Sequence, residues 1–194
     1  MVNGMRVIAG AWKGMPLHAP RGTAARPTTD RVKESMFNLL GPHWSGRTAV
    51  DLFAGSGALG LEALSRGAES AIFVDPNPLS VQAILANIRR CKAEAQTQVW
   101  RMDWQTAWAR VCAEAVDVGW VFVDPPYAKQ LWLPVLETVA KGTVPVLHGV
   151  VCEHPRTVSL PERVGPLERG KHRSYGDIAV SIYYDERENA GDER

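Results

Sequence analysis

Short apolar runs alternate with longer amphipathic segments between residues 48 and 154, and this alternation constrains the fold more than any other feature. The runs are six or seven residues long, rich in Val and aromatic residues, and typical of buried strands. The segments between them have the length and periodicity of helices. Repeated strand–helix units predict an α/β, Rossmann-like, doubly wound and mostly parallel sheet with helices on both faces.

The expected elements follow from this pattern. The predicted strands cover residues 48–54, 70–75, 97–103, 118–124 and 149–154, and the predicted helices cover 56–67, 78–91, 104–115 and 130–142. The last third ends in a Gly-bounded hairpin, LERGKHR followed by DIAVSIYY, which adds an antiparallel C-terminal edge and brings the sheet to about seven strands.

A smaller β-hairpin precedes the alternating units. The segment MRVIAGAWKGMPLHAP contains two short strands around a Gly-bounded turn. An amphipathic helix comes next, and it ends at Gly41-Pro42. We therefore expect three parts: an N-terminal hairpin extension over residues 1–25, an α/β domain over 26–184, and a disordered polar tail over 185–194.

Composition limits the class of protein. A chain of 194 residues with 45% hydrophobic and 22% charged residues is long enough for one well-buried domain. No apolar stretch approaches the roughly 20 residues needed to cross a bilayer. The three cysteines, Cys91, Cys112 and Cys152, are widely spaced and suggest neither a disulfide framework nor a metal site. We expect a cytoplasmic monomer that has no contact with a membrane.

Positive charge is concentrated at the front of the chain. Residues 1–50 carry seven Lys or Arg against two Asp or Glu, whereas residues 51–150 and 151–194 each carry two more acidic than basic residues. A basic front fits an anionic partner, although a solvated basic surface would look the same. The residues expected to contact the phosphates of a nucleic acid are Arg6, Lys13, Arg21 and Arg26.

A glycine loop follows the first predicted strand. The sequence GSGALG (55–60) satisfies G-x-G-x-x-G, and Asp75 lies 20 residues past the first glycine, which fits a nucleoside-containing cofactor or a tight structural turn. Asp51, four residues before Gly55, favours a cofactor with a cationic amino-acid end, such as S-adenosylmethionine. Since ligands of such sheets bind beyond the carboxyl ends of the strands, we expect the site at this edge.

The fourth predicted strand ends in VFVDPPY, in which a carboxylate and an aromatic ring flank two prolines. An amino group on a purine is a poor nucleophile, and it must be held in line with a methyl donor. The Asp124 carboxylate and a carbonyl fixed by the stiff Asp-Pro-Pro backbone can accept its two N–H groups. Tyr127 can stack on the face of a base. The prolines are tolerated because the strand has ended.

The sequence DLFAGSGALGLEALSRGA resembles motif I of class I S-adenosylmethionine-dependent methyltransferases. Its form is that of the RsmD family, which methylates guanine N2 in small-subunit rRNA. RVIAGAWKGMPL, RPTTDRVKESMFNLL, FVDPPY and RSYGDIAVSIYY are similar to that family in the same order, so the resemblance covers most of residues 5–184. It implies a 16S rRNA substrate, presented in an assembled or partly assembled small ribosomal subunit.

The resemblance also implies roles for individual residues. The loop would hold the methionine part of S-adenosylmethionine, Asp75 the ribose hydroxyls and Asp103 the adenine amino group. The implied cofactor-binding residues are Asp51, Phe53, Ala54, Gly55, Ser56, Gly57, Asp75 and Asp103. The implied catalytic residues are Asp124, Pro125, Pro126 and Tyr127.

Three alternatives remain open from the residues alone. Tetrads similar to DPPY occur in DNA and RNA adenine-N6 methyltransferases, so the motif by itself does not identify the base. An NAD-dependent oxidoreductase would explain GSGALG and Asp75 but leaves DPPY without a purpose. A noncatalytic RNA-binding protein would explain the basic front but does not account for an intact site.

Overall fold

The computed structural model of the protein describes residues 5–20, 30–42, 44 and 46–189. Arg21 and Arg26, two of the residues predicted to contact phosphates, lie outside the described residues, as does the end of the predicted tail, 190–194. Within the described ranges, none of the helices combines the length and the apolar character required to span a bilayer.

Eight strands and six α-helices follow one another along the described chain. The strands are β1 (Thr48–Asp51), β2 (Ser70–Val74), β3 (Thr97–Trp100), β4 (Val118–Val123), β5 (Val146–Pro155), β6 (Arg163–Val164), β7 (Leu167–Tyr175) and β8 (Ile178–Asp185). The helices are α1 (Asp30–Leu40), α2 (Ala58–Ser65), α3 (Pro78–Cys91), α4 (Trp104–Ala113), α5 (Trp132–Lys141) and α6 (Glu186–Asn189). Two 3-10 helices cover Glu94–Gln96 and Tyr127–Lys129.

All eight strands form one sheet in the order β3-β2-β1-β4-β5-β8-β7-β6. The first five strands are parallel, and β8, β7 and β6 form an antiparallel edge. The structure thus confirms the predicted α/β fold class. The sheet has one strand more than predicted because the two-residue strand β6 pairs with the start of β7, and so short a run leaves no periodic pattern in the sequence.

Each face of the sheet has its own hydrophobic core. One face packs against α1, α2, α3 and the N-terminal segment, through residues such as Phe37, Leu61 and Phe73. The other packs against α4 and α5, through residues such as Trp108 and Leu136. All six residues of β4 are buried because both cores cover this central strand.

Several strands end earlier than the apolar runs suggest. β1 ends at Asp51 rather than at residue 54, and β3 ends at Trp100 rather than at residue 103. The residues beyond these ends therefore lie in loops, free to turn over the edge of the sheet. Helix α5 begins at Trp132, so Pro134 falls in the first turn, where its missing N–H breaks no helical bond.

The N-terminal segment pairs with itself and is anchored to the domain. Val7 N–H donates to the Met15 carbonyl at 2.9 Å and Leu17 N–H to the Met5 carbonyl at 2.7 Å, and a single antiparallel bridge joins the two arms. The side chains of Val7 and Leu17 are buried in the core beside α1 and α2. The segment is thus packed as part of the domain.

Buried Glu62 on α2 holds this segment in place. Its carboxylate accepts the Ile8 N–H at 2.7 Å and the Ala9 N–H at 3.0 Å. The same carboxylate pairs with the buried Lys33 ammonium at 3.3 Å, and Lys33 also donates to the Arg6 carbonyl. A buried charge satisfied in this way fixes the position of the backbone that it contacts.

The predicted tail requires a correction. Asp185, its first residue, ends strand β8 and is buried, and its carboxylate accepts the Val146 N–H at 3.0 Å. The next residues, Glu186–Asn189, form helix α6. The prediction of disorder is therefore wrong for residues 185–189, because the Asp185 carboxylate ties the chain end to β5.

Candidate functional site

Four carboxylates come together where the parallel strands end. Asp51, Asp75, Asp124 and Glu153 belong to the carboxyl ends of β1, β2, β4 and β5. In the strand register Asp51 lies beside Phe122, and Phe122 beside Val151. Because side chains alternate between faces, Asp51, Asp124 and Glu153 share one face of the sheet.

The glycine loop turns sharply from β1 into α2. Gly55 has a φ of 55° and Gly57 a φ of 81°, a left-handed conformation that favours glycine. A Cβ at Gly55 would have its nearest heavy atom 4.0 Å away, so this position leaves room for a ligand. A Cβ at Gly60 would instead meet the Phe73 ring at 2.4 Å, which shows how closely α2 approaches β2.

Asp51 is a buried acid with an unused oxygen. Its Oδ2 accepts the Gly60 N–H at 3.3 Å, whereas its buried Oδ1 has no hydrogen-bond partner among the described residues. Burial raises the pKa of Asp51 to about 7. The Gly60 N–H opposes this shift, as does the nearby Phe53 N–H, which forms no hydrogen bond of good geometry with the carboxylate, and the charge of Asp75 adds to it. An orphaned carboxylate oxygen at the glycine loop suits a cationic ligand group.

Asp75 connects the ends of two strands. Its Oδ2 accepts the Gly55 N–H at 3.0 Å, and its Oδ1 accepts the Asn77 N–H at 2.8 Å. A carboxylate oxygen can accept a second hydrogen bond, so these contacts are compatible with ribose hydroxyls. Asp75 thus shapes the loop and lies at its mouth.

The other predicted loop residues serve the loop in different ways. The half-buried Phe53 ring packs 6.4 Å from the Trp104 ring, and the Ala54 N–H donates to the Val74 carbonyl at 2.9 Å. The Ser56 carbonyl accepts from the side chain of buried Asn87 at 2.8 Å. The Ser56 hydroxyl lies 3.1 Å from the Met5 sulfur, so the N-terminal segment touches the loop.

Asp103 is exposed and caps helix α4. Its Oδ1 accepts the Thr106 N–H at 2.9 Å and its Oδ2 the Thr106 hydroxyl at 2.8 Å. These two bonds lower the pKa of Asp103. The cap explains the residue structurally, and its predicted contact with adenine stays a prediction.

The DPPY residues lie at the end of β4. Burial raises the pKa of the half-buried Asp124 well above its ordinary value, and the nearby carboxylates of Glu153 and Asp51 raise it further. Pro125 is buried and Pro126 exposed. Tyr127 begins a 3-10 helix with 37% of its surface exposed, and its ring centroid lies 5.7 Å from that of Trp132.

Glu153 is a site residue that sequence reasoning missed. It is only 3% exposed, and its Oε1 accepts the Tyr127 hydroxyl at 3.2 Å. Its backbone carbonyl accepts the Trp132 indole N–H at 2.6 Å. The sequence does contain a signal, the carboxylate inside the apolar run VVCEH. A buried carboxylate is costly unless it is hydrogen-bonded or paired, so its presence in a buried strand indicates a specific contact.

The predicted phosphate contacts are only partly available. Arg6 forms an ion pair with Asp30 at 2.8 Å while remaining more than half exposed, and Lys13 is exposed on the turn of the N-terminal segment. Two other front cations are paired, Lys33 with Glu62 and Arg47 with Asp117. The basic excess read from the sequence is therefore partly neutralised within the fold.

Comparison with known proteins gives consistent relatives. The family model described as "Conserved hypothetical protein 95" matches residues 5–184. The Bacillus subtilis protein "Putative rRNA methyltransferase YlbH" is 42% identical over 92% of this chain and 98% of its own length. The Escherichia coli protein "Ribosomal RNA small subunit methyltransferase D" is 39% identical over 66% of this chain and 62% of its own length.

Solved structures show the same fold. An Escherichia coli structure described as "Putative methyltransferase yhhF" superposes with a TM-score of 0.77, 29% identity and coverage of 93% of this chain and 97% of that one. An RNA methyltransferase from Salinibacter ruber, solved in complex with S-adenosyl-L-homocysteine, superposes with a TM-score of 0.59 over 82% of this chain and 93% of that one. At 14% identity this second similarity concerns the fold alone.

Proposed function

The chain belongs to the conserved hypothetical protein 95 family, and from that premise we propose that it is an S-adenosylmethionine-dependent methyltransferase acting on small-subunit rRNA. We further propose that the acceptor is the exocyclic N2 of a guanine in 16S rRNA. Relatives named as rRNA methyltransferases support the first statement. The DPPY tetrad and the resemblance of the whole chain to guanine-N2 enzymes support the second.

The residues around the glycine loop fit the cofactor. When bound, S-adenosylmethionine supplies an electrophilic methyl group on a sulfonium. The unpartnered Oδ1 of Asp51 suits the cationic amino group of its methionine part. The open space at Gly55 lets the backbone approach closely, and Asp75 suits the ribose hydroxyls.

The DPPY residues hold the acceptor. Asp124 accepts one N–H of the target amine, and a carbonyl of the Asp-Pro-Pro backbone accepts the other. These contacts direct the nitrogen lone pair toward the methyl group and relieve the positive charge that develops on nitrogen. The exposed Tyr127 ring provides a stacking surface for a base removed from its helix or loop.

One observation carries this proposal. The orphaned carboxylate of Asp51 and the carboxylate of Asp124 occupy the same face of two adjacent strands, β1 and β4, at the carboxyl edge of the sheet. The amino-acid end of the cofactor and the acceptor amine would thereby lie side by side. Methyl transfer needs this proximity, whereas an NAD-dependent reaction has no use for the second carboxylate.

Replacing Asp124 with alanine tests the proposal. We expect turnover to be lost while the affinity for S-adenosylhomocysteine changes by no more than about twofold, because the partner of Asp124 is the acceptor amine and not the cofactor. Labelled-methyl transfer to small subunits, nucleoside mass analysis and calorimetry provide the readouts. Transfer within about threefold of the parent rate would contradict the role, and methyladenine as product would favour the adenine-N6 alternative.

A further inference from the structure

Glu153 and Asp124 occupy equivalent positions at the ends of neighbouring strands. In the β4–β5 register Val123 lies beside Cys152, so the next residues of the two chains stand level. Adjacent strands are about 4.8 Å apart, and both side chains are on the same face. A buried glutamate in this central strand is costly unless it has a hydrogen-bonding task.

The surroundings of Glu153 connect it to the acceptor end of the site. Its Oε1 accepts the hydroxyl of Tyr127, the residue proposed to stack on the base. Its charge also reaches Asp124, whose pKa it helps to raise after the larger effect of burial. Two neighbouring carboxyl groups thus lie beside Tyr127 at the end of β4 and β5.

The two purines present opposite chemistry to such a pair. On guanine, the N1–H and the N2 amino group are adjacent donors on the Watson–Crick edge. On adenine, the amino group is adjacent to N1, which is an acceptor. An ionised carboxylate accepts hydrogen bonds and donates none, so the pair in its ionised form matches two donors and repels the lone pair of an adenine N1. Because the pKa of Asp124 is raised, this form is reached at a higher pH than for an ordinary acid.

We propose that Glu153 selects guanine by accepting its N1–H while Asp124 accepts an N–H of the 2-amino group. The inference rests on the proposed function, because it concerns which base the same site admits. A site built to receive a particular N–H rejects analogues that lack it, since a buried acceptor is then left unpaired. Glu153 is thus a specificity residue that the DPPY motif does not contain.

The base 2-aminopurine separates this role from packing. It keeps the 2-amino group of guanine, has an acceptor at N1 and lacks the 6-oxygen, so the Glu153→Gln comparison is needed to assign the preference to N1. Mass mapping first identifies the target guanine. A 16S rRNA with 2-aminopurine at that position is then made by ligation, and the small subunit assembled on it is the substrate. We expect the parent protein to favour guanine in kcat/KM by about 10- to 100-fold. Equal parent rates on the two bases would overturn the inference.

Glu153→Gln supplies the second comparison, because its amide can donate to an N1 acceptor. We expect the guanine preference to fall below about threefold, with S-adenosylhomocysteine affinity retained. The exposed Glu137→Gln on α5 is the matched control and should keep the parent preference. Equal losses on both bases in Glu153→Gln would indicate a structural role and overturn the inference.

Tyr127→Phe tests whether Glu153 acts only through the tyrosine hydroxyl. We expect this variant to keep the preference for guanine, and loss of the preference would show that the tyrosine mediates it and overturn direct selection. A parent protein that methylates no guanine would instead refute the proposed function. The two failures are therefore distinguishable.

Discussion

The buried position of Asp51 disfavours the ionisation of its carboxyl group. Burial raises its pKa to about 7, so in the cofactor-free protein it keeps a proton that the unfolded chain loses near pH 4. Because the folded state then binds more protons than the unfolded state, this group lowers the free energy of unfolding as the pH rises from about 4 to 7. The ammonium group of a bound cofactor would stabilise the ionised carboxylate and offset this loss in the free energy of unfolding.

Cofactor affinity should therefore depend on pH through Asp51. Below about pH 7 Asp51 must lose its proton to pair with the amino group, so the affinity for S-adenosylhomocysteine should rise by up to about tenfold per pH unit from pH 5 to 7. It should then level off above about pH 7 and fall only at the higher pH at which the amino group itself deprotonates. Calorimetry across this range provides the measurement.

Asp51→Asn is the control for that pH dependence. The amide has nearly the same shape but does not titrate, so we expect weaker binding at pH 7 and a nearly flat profile between pH 5 and 7. If the affinity of this variant still rises steeply with pH, another group titrates, and the result would contradict a contact between Asp51 and the cofactor.

At the level of elements, the glycine loop depends on how closely α2 approaches β2. The closest approach is at Gly60, where a Cβ would lie 2.4 Å from the ring of fully buried Phe73. The Gly60 N–H also donates to Asp51. The third glycine of the loop motif therefore sets the distance between helix and sheet, and with it the position of the buried acid.

Gly60→Ala should destabilise the protein by about 1–3 kcal/mol, although alanine favours helices by about 1 kcal/mol relative to glycine. The added methyl group must displace either a fully buried ring or the helix. Urea denaturation measures the effect. Phe73→Leu should relieve the clash, so the double variant should lose less stability than the sum of the single variants; simple additivity would argue against it.

The same level shows what the sequence could predict. The order of strands and helices follows from periodicity, and α3 has the bounds that the sequence predicts. The glycine loop and DPPY are local motifs and are recognisable for that reason. The proximity of Glu153 to Asp124 was not predictable from the sequence. It depends on the register of β4 against β5, which brings together residues 29 positions apart.

Asp103 shows the opposite limit. It follows a strand, as Asp75 does, and the two positions look alike in the sequence. In the structure Asp75 binds the glycine loop, whereas Asp103 binds its own helix through Thr106. Local pattern does not distinguish a carboxylate that faces a ligand from one that caps a helix, because the same residue type satisfies both needs.

At the scale of the whole molecule, ion pairs within the described part of the fold neutralise some of the positive charge at the front of the chain. Arg6, Lys33 and Arg47 all have acidic partners, so the basic excess of the front is smaller in the fold than in the sequence. Phosphate contacts alone give only about 10⁻⁴–10⁻⁶ M affinity near physiological salt. Choosing one guanine then requires a shape that the RNA substrate presents.

We therefore expect assembled or partly assembled small subunits to be methylated much faster than protein-free 16S rRNA. Incorporation of labelled methyl groups at matched concentration and salt measures both rates. Assembly fixes the local RNA fold, so binding to the enzyme does not carry the free-energy cost of ordering that RNA. Equal rates on the two substrates would contradict this expectation.

Lys13 tests the RNA contact without disturbing the core. Removing residues 1–22 would also strip Val7 and Leu17 from the core, whereas Lys13 is exposed. We expect Lys13→Glu to weaken binding to subunits and to lower the salt dependence by about one unit of slope, with an unchanged melting temperature. Lys141→Glu, exposed on α5 across the sheet, is the matched control; equal effects of both would indicate a nonspecific change in charge.

The anchoring of the N-terminal segment also determines the order in which the chain can fold during synthesis. Its backbone bonds end on Glu62 and Ser65 of α2, and His18 exchanges two bonds with Asn87 of α3. His18 leaves a translating ribosome 69 residues before Asn87, so these bonds can form only after α3 has been made. The glycine loop contacts this segment through Met5 and Ser56 and contacts α3 through Asn87, so it can take its finished form only after α3 has been made.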